Sequence, residues 1–183
     1  TSGTKIGRYP GTSGNGGGNP ASSTLFGYDS PNDNVVTGYA FRRSPGFHDV
    51  VVYTGSNSAG NVVKHNLGVT PEFIITKVLN YNGEDWHVYV NGISNSFIIT
   101  TAGAVYSNAI TAVSSTSMTL ANDRKVNWSY NYVAMMWATQ AGVSKVGTYT
   151  GTGGDITVDC GFTAGARFII IKPNATGAWF VFN

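Results

Sequence analysis

The stretch DVVVYTG at residues 49–55 returns as KVGTYTG at residues 145–151, so that Tyr149 follows Tyr53 by 96 positions. Each copy contains β-branched or aromatic residues and ends at a glycine, a pattern typical of a β-strand that runs into a turn. A stretch that recurs at a fixed distance is the signature of an internal repeat. This pair therefore predicts both β-structure and a duplicated unit.

Three further matches extend the repeat on both sides. FIITK at residues 73–77 matches FIIIK at 168–172, and GEDWHVY at 83–89 matches GAWFVF at 177–182. Upstream, Tyr39 to Phe41 line up with Met135 to Trp137 at the same spacing of 96. The distance shrinks only across glycine- and asparagine-rich stretches, where loops shorten without cost to a core. The repeat unit is therefore about 96 residues long.

The frame of the repeat divides the chain into three parts. Residues 1–48 are expected to be the end of one unit and to carry a glycine-rich arm, which covers positions 9–24. Residues 49–144 are expected to form a complete unit, and residues 145–183 the start of a further one. We therefore expect the chain to be a window from a longer protein built of such units.

The spacing of apolar residues along the sequence predicts strands throughout the chain. Runs rich in β-branched and aromatic residues are bounded by Gly, Asn, Ser and Thr, and no window of helical length has a clear 3.6-residue period. Short strands at such intervals predict an all-β fold of β-sandwich type. The expected strands are Val50–Thr54, Phe73–Val78, Trp86–Val90, Phe97–Thr101, Tyr130–Ala138 and Arg167–Lys172.

Composition narrows the classes of function. Charged residues make up 11% of the 183, against roughly 25% in an ordinary domain. The net charge of +2 is too small for the basic stripe that nucleic-acid binding requires, and no apolar run is long enough for a membrane-spanning helix. The lone Cys160 excludes an internal disulfide, so the fold does not depend on an oxidising compartment. A surface of hydroxyls, amides and glycine is typical of adhesive, extracellular β-proteins.

The sequence predicts no enzyme, no metal site and no cofactor. It lacks a nucleophile elbow, a phosphate-binding glycine motif and zinc-ligand spacing. A glycosidase needs two carboxylates on one cleft. In the other copy Arg167 stands opposite Glu72, and Ala178 stands opposite Glu84 and Asp85. We interpret all the acidic candidates near strands as solvated loop charges: Glu72, Glu84, Asp85, Asp155 and Asp159.

Aromatic side chains on loops remain as candidates for sugar binding, since sugars stack on exposed rings. Trp86 and Trp179 occupy equivalent places in the two copies, which favours a packed core position for both. The candidate ligand-binding residues are therefore the loop aromatics and their amide neighbours, namely Asn80, Tyr81, Asn82, Tyr106 and Asn108.

Three motifs in order carry a resemblance to a known family: RRSPGFHDVVVYTG at residues 42–55, HNLGVTPE at 65–72 and GVSKVGTYTG at 142–151. Over residues 35–183 the chain resembles a β-rich domain of unknown function that recurs in large virion proteins of tailed bacteriophages, notably marine ones. In tail-fibre-like proteins this domain often lies beside concanavalin-like lectin domains. No such lectin-like neighbour is present here, and the family supplies no catalytic residues to carry over.

The resemblance implies a non-enzymatic structural or adhesion module of a phage tail fibre or appendage, assembled in the host cytoplasm and exposed on the virion. Its expected partners are other virion proteins, further copies of itself (a trimer by analogy with fibres) and a cell-surface glycan. A capsid-decorating protein and an autonomous carbohydrate-binding module remain as alternatives. Neither nucleic acid nor membrane insertion is expected.

Overall fold

The computed structural model describes Lys5–Ile6, Leu25–Phe26 and residues 41–99 and 105–182. The chain divides into two compact units, Thr1–Ala40 and Phe41–Asn183. In the first unit, β1 (Lys5–Ile6) pairs in parallel with β2 (Leu25–Phe26). The glycine-rich arm expected at positions 9–24 lies outside the described residues.

The larger unit is built on a six-stranded antiparallel sheet in which the chain's order is not the spatial order. Its strands are β3 (His48–Thr54), β5 (Phe73–Val78), β6 (His87–Val90), β7 (Asn95–Ile98), β8 (Val105–Ser107) and β11 (Asn131–Trp137). The last of these strands in sequence lies between the first and the second, so the spatial order is β3–β11–β5–β6–β7–β8. Because this insertion pairs residues about 80 positions apart, it depends on contacts that no local pattern specifies.

A smaller antiparallel sheet lies over one face of the large one. It has the order β4–β10–β9, with β4 (Asn61–Lys64), β9 (Ile110–Val113) and β10 (Ser117–Leu120). Met118 and Leu120 of the small sheet share one buried cluster with Ile74 and Met136 of the large sheet. The two sheets therefore pack as layers around a common core, as the alternation of apolar residues along β10 and β11 requires.

The opposite face of the large sheet carries a second apolar cluster, centred on Ile75, Val88 and Phe97. The remaining strands, β12 (Ile169–Ile171) and β13 (Phe180–Phe182), form an antiparallel hairpin that contacts this face. Trp179 makes this contact. Its Nε1 donates a hydrogen bond to the carbonyl of Ile98 at 2.9 Å, and its ring packs edge-on against Phe97 with 6.1 Å between the ring centroids.

The expected all-β fold is confirmed for the described residues, which form strands in several antiparallel sheets and no helix, and hence none that could span a membrane. The strand Phe73–Val78 has the expected bounds, whereas the strand expected at Phe97–Thr101 is described as Asn95–Ile98, and the expected residues Thr100 and Thr101 lie outside the described part of the chain. The expectation of two core tryptophans is wrong for Trp86, which is 36% exposed, whereas Trp179 is half-buried.

Candidate functional site

The strand register brings loops that are distant in sequence to one end of the large sheet. Val78, the last residue of β5, pairs with Tyr132 at the start of β11. The loop 79–86 that follows β5 and the segment 121–130 that precedes β11 therefore leave the sheet side by side. We use the name aromatic end for Tyr81, Arg124, Lys125, Trp128 and Tyr130 of these two segments together with Tyr106 of β8, which the Lys125 side chain contacts.

Two tyrosines join these segments at the aromatic end. The rings of Tyr81 and Tyr130 stack at 4.9 Å between centroids, with an angle of 9° between their planes. Asn80 accepts a hydrogen bond from the backbone N–H of Asn131 at 2.9 Å. Asn82, in contrast, is exposed and has no side-chain hydrogen bond to a described residue. Tyr81 and Asn80 therefore hold the loop in place, whereas the side-chain amide of Asn82 is exposed to solvent.

An ion pair makes a second connection. Arg124 Nε donates to Glu84, whose side chain is only 10% exposed, and Lys77 donates to the Glu84 carbonyl. The Arg124 guanidinium also lies 5.2 Å from the centroid of the Trp128 ring, within the range of a cation–π interaction. The interpretation of Glu84 as a solvated loop charge is therefore wrong, because a partner 40 positions away in sequence covers it.

Tyr106 lies on β8 and contacts the same segment. The Lys125 ammonium is 4.8 Å from the centroid of its ring, and the same ammonium pairs with Asp123 at 3.4 Å. Tyr106 and Trp128 each leave 38% of their surface exposed. Each ring thus has a cation beside it and keeps part of its surface exposed.

Asn108 is not brought to the aromatic end. Its amide donates to the carbonyl of Ile93 at 2.8 Å, in the turn between β6 and β7, which leaves the opposite end of the sheet. Its Oδ1 is buried without a hydrogen-bond partner among the described residues. Asn108 therefore supports a turn and is separate from the other candidate residues.

A cleft of about 250 Å³ lies at that opposite end, lined by Glu72, Val90–Ile93 and Val146–Thr148. Glu72 is the only acidic residue in its lining, and its carboxylate accepts a hydrogen bond from the Thr139 N–H. The cleft therefore lacks the second carboxylate that hydrolysis of a glycosidic bond requires. Among the described residues, no group of three His, Cys, Asp or Glu side chains could hold a metal ion.

Two buried ionisable groups, Asp49 and His87, do not belong to the aromatic end. Burial opposes ionisation of Asp49, but hydrogen bonds from the Asn66 N–H at 2.7 Å and Arg43 Nε at 2.6 Å outweigh it and hold the pKa of the carboxyl below its usual range. Burial lowers the pKa of His87 to about 4, and the Nε2 of this ring has no hydrogen-bond partner in the described chain. The hydrogen-bonded Asp49 carboxylate therefore stabilises the fold, whereas the unpaired ring nitrogen of His87 destabilises it.

Sequence reasoning missed most of the aromatic end. It named Tyr81 and Tyr106 but omitted Arg124, Lys125, Trp128 and Tyr130. The stretch DRKVNWSY at residues 123–130 interleaves cations with aromatics just before a strand, and that pattern was the available signal.

A protein family described as a domain of unknown function, DUF7483, matches residues 32–183. No curated protein and no solved structure matches the chain.

Proposed function

Because the chain belongs to the DUF7483 family, whose description names no activity, we propose its function from its structure: it is a non-enzymatic, repeat-built structural and adhesion module. In this proposal it forms part of a tail fibre or appendage of a tailed bacteriophage and presents the aromatic end to host-surface glycans. The phage assignment rests on the three resembling motifs, and the repeat and the aromatic end are argued from the described residues.

The first support for duplication is a pair of matching turns. Ser44 and His48 form an isolated β-bridge, and so do Gln140 and Ser144, 96 positions later. In both turns the N–H of the fifth residue donates to the carbonyl of the first, at 3.0 and 2.9 Å. Both turns also place a glycine at positive φ in the third position, Gly46 at 78° and Gly142 at 70°.

The second support is a pair of matching hairpins. In the first hairpin Ile74 pairs with Tyr89 and Ile75 with Val88, whereas in the second Ile169 pairs with Phe182 and Ile170 with Val181. The sequence matches of FIITK with FIIIK and of GEDWHVY with GAWFVF assign these same residues to each other. A one-residue slip would reverse the face of every side chain, so equal register is a strict requirement. This agreement is the observation that carries the proposal of a tandem-repeat module.

The chemistry of the aromatic end supports the adhesion part of the proposal. A pyranose ring presents C–H groups that stack on an exposed indole or phenol, and its hydroxyls bond to nearby amides and cations. Trp128 and Asn82 provide these groups on loops held by the sheet, and Tyr106 provides one on the edge strand β8. Binding sites are commonly built on loops that a rigid scaffold positions.

We predict that Trp128→Ala weakens binding of the intact chain to host polysaccharide by about tenfold, equivalent to about 1.4 kcal/mol of lost stacking. Titration calorimetry with purified polysaccharide measures the change, and thermal unfolding verifies that the variant is folded. Tyr149→Ala is the matched control, because Tyr149 is 51% exposed but belongs to the segment beside the cleft at the other end. Equal binding by the Trp128→Ala variant, or no binding by the parent chain, removes the glycan contact.

The position in the particle has a separate test. We predict that gold-labelled antibody against this chain decorates tail fibres of purified parent particles in electron micrographs. Antibody pre-absorbed with the chain is the control. Label over the head would overturn the tail assignment and make the module a capsid-decorating element.

A further inference from the structure

Strand β3 forms one edge of the large sheet, and an apolar residue near its middle is unusually exposed. Val52 leaves 68% of its surface exposed, more than any other large hydrophobic side chain among the described residues. In the described chain β3 is the terminal strand of its sheet and pairs only with β11. A long edge strand with an exposed apolar residue is the kind of edge at which sheets of different chains join.

The backbone of β3 alternates between groups that bond to β11 and groups that point away from the sheet. Just before the strand, the Phe47 carbonyl accepts a hydrogen bond from the Ala138 N–H at 3.0 Å. Just after it, the Gly55 N–H donates to the Tyr130 carbonyl at 2.9 Å. In an antiparallel pair, residues that bond to the partner strand alternate with residues that face away from it. The odd-numbered residues of β3 therefore bond to β11, and the N–H and carbonyl of Val52 face outward.

Only part of this outward row of backbone groups is open. The Val50 N–H donates to the carboxylate of its neighbour Asp49 at 2.9 Å, which confirms that the even-numbered residues face away from β11. The N–H groups of Val52 and Thr54 have no acceptor among the described residues, and the carbonyls of Val50 and Val52 have no donor there. The edge therefore presents a short, defined set of unpaired donors and acceptors to solvent.

The other edges of the two packed sheets are less suited to pairing with another chain. Strand β8 is only three residues long, and β4 carries the exposed Lys64. Strand β9 changes its register against β10 between Thr119 and Leu120, as at a β-bulge. Short length, charge and bulges are the features by which proteins keep a strand edge from pairing further. Residues 50–54 of β3, VVVYT, have none of them.

The open groups of β3 are complementary to those of a second β3. When two copies run antiparallel with Val52 opposite Val52, each Val52 N–H meets the Val52 carbonyl of the other copy. Each Thr54 N–H then meets a Val50 carbonyl, and only the exposed Thr54 carbonyl is left to water, because Asp49 holds the Val50 N–H. A twofold axis at Val50 would instead place two occupied N–H groups at the centre. The free groups therefore select Val52 as the centre of pairing.

We propose that β3 is the contact between two copies of this chain, which join antiparallel about a twofold axis at Val52 to make one continuous sheet. Each Val52 side chain packs against its counterpart across the axis, and no charged residue of positions 50–54 opposes a like charge. An edge strand that adds to another edge gains main-chain hydrogen bonds and side-chain contacts together. Because the same surface serves both copies, the contact closes at two chains. Its residues do not belong to the aromatic end, so it stands apart from the proposed glycan contact.

The mass of the full chain in solution, measured by light scattering over a range of concentrations, tests the contact. The mass of the parent chain should rise to that of two chains. Val52→Pro should stay monomeric at concentrations at which the parent is dimeric, because proline removes the outward N–H, and an edge strand tolerates proline at such a position. Thermal unfolding verifies that the variant is folded.

A charge at the same position is a second variant that keeps the test decisive when the proline variant does not fold. Val52→Lys should weaken the association by about tenfold or more, because it places two like charges directly opposite each other. Val62→Lys is the matched control, because Val62 lies on β4, is 55% exposed and has no part in the contact. This control should dimerise like the parent chain.

Cysteine cross-linking tests the register. In a Cys160→Ser background, Val52→Cys should oxidise to a dimer on a non-reducing gel, since opposed residues that share hydrogen bonds have Cα atoms about 5.5 Å apart, within the range a disulfide accepts. Val50→Cys together with Thr54→Cys should also link two chains, whereas Val50→Cys alone should not. Val62→Cys is the control for exposure and should remain monomeric.

Several results would overturn the contact. A parent chain that stays monomeric at every concentration, or that has the mass of three chains, contradicts it. A dimer that persists in the folded Val52→Lys variant also contradicts it, as does a Val62→Cys dimer that forms as readily as the Val52→Cys dimer. None of these results affects glycan binding or fibre labelling, and loss of glycan binding in Trp128→Ala leaves the dimer mass unchanged. The two proposals can therefore fail separately.

Discussion

Asn127 has no exposed surface, and its amide is fully used. Its Oδ1 accepts from the Ser56 N–H at 2.9 Å and from Asn61 Nδ2 at 2.8 Å. Its Nδ2 donates to the carbonyls of Ser58 at 2.7 Å and Ala121 at 2.9 Å. One side chain therefore ties the loop that follows β3 to the segment that carries Trp128.

We predict that Asn127→Ala lowers the free energy of unfolding by about 2–4 kcal/mol, because it leaves several buried polar groups without partners. Urea denaturation followed by tryptophan fluorescence measures the difference. Asn82→Ala is the control and should change stability by less than about 0.5 kcal/mol, because Asn82 is exposed and makes no side-chain hydrogen bond to a described residue. A loss below about 1 kcal/mol for Asn127→Ala would show that water replaces the amide.

The burial of single polar residues was not predictable from the sequence. Asn127 binds residues about 70 positions upstream, and the Asp49 carboxylate takes bonds from both Arg43 and Asn66. No local pattern distinguishes these from the solvated Asn and Asp residues around them. The partners that decide their burial are assembled only by the fold.

At the scale of elements, the sequence predicted the bounds of β5 correctly, and this strand is apolar on both faces. Phe73–Val78 lies in the middle of the large sheet with apolar clusters on both sides, so apolar residues dominate both of its faces and only Thr76 and Lys77 interrupt them. Strands β4, β9 and β10 were missed because they are four residues long and partly exposed, and polar residues lie among or beside their apolar ones. The insertion of β11 between β3 and β5 could not be predicted either, since register is set by packing across the whole unit.

At the scale of the whole molecule, buried histidines make stability depend on pH. Burial lowers the pKa of His48, His65 and His87, with nearby charges acting in smaller degree, among them Asp49 and Arg43 at His48 and Asp123 and Lys125 at His87. Between the folded and unfolded pKa values, the unfolded chain binds more protons than the folded one. Stability therefore rises with pH through this window and falls as pH drops below about 6.5.

We predict that the free energy of unfolding decreases by about 2 kcal/mol between about pH 7.5 and about pH 5 from His87 alone, given its folded pKa of about 4. Urea denaturation at a series of pH values measures the slope. His87→Met should flatten it, because methionine does not titrate and leaves no unpaired ring nitrogen. The Asp49 carboxyl contributes at lower pH. Because its pKa is lowered in the folded chain, the stability it adds is complete above about pH 4 and is lost as the pH falls further. A flat profile for the parent chain contradicts the burial of the histidines.

Composition predicted the class of the whole molecule better than it predicted the site. Few charges, many hydroxyls and amides, and abundant aromatics indicated an all-β protein, and the described chain is one. The aromatic end combines residues near positions 81, 106 and 128, and only the pairing of β5 with β11 brings the first and last of these regions together. Sequence could therefore name Tyr81 and Tyr106 as candidates but could not group them with Trp128.

The matching turns at Ser44–His48 and Gln140–Ser144 also have a genetic consequence. If recombination between two gene copies exchanges one turn for the other, the reading frame, the strand register and the positive-φ glycine are all preserved. On the proposal that the chain is built of repeat units, unequal crossing-over would then lengthen or shorten the parent gene by whole units without damaging any single unit. We expect natural homologues to differ in length in steps of one repeat, with breakpoints that coincide with this turn.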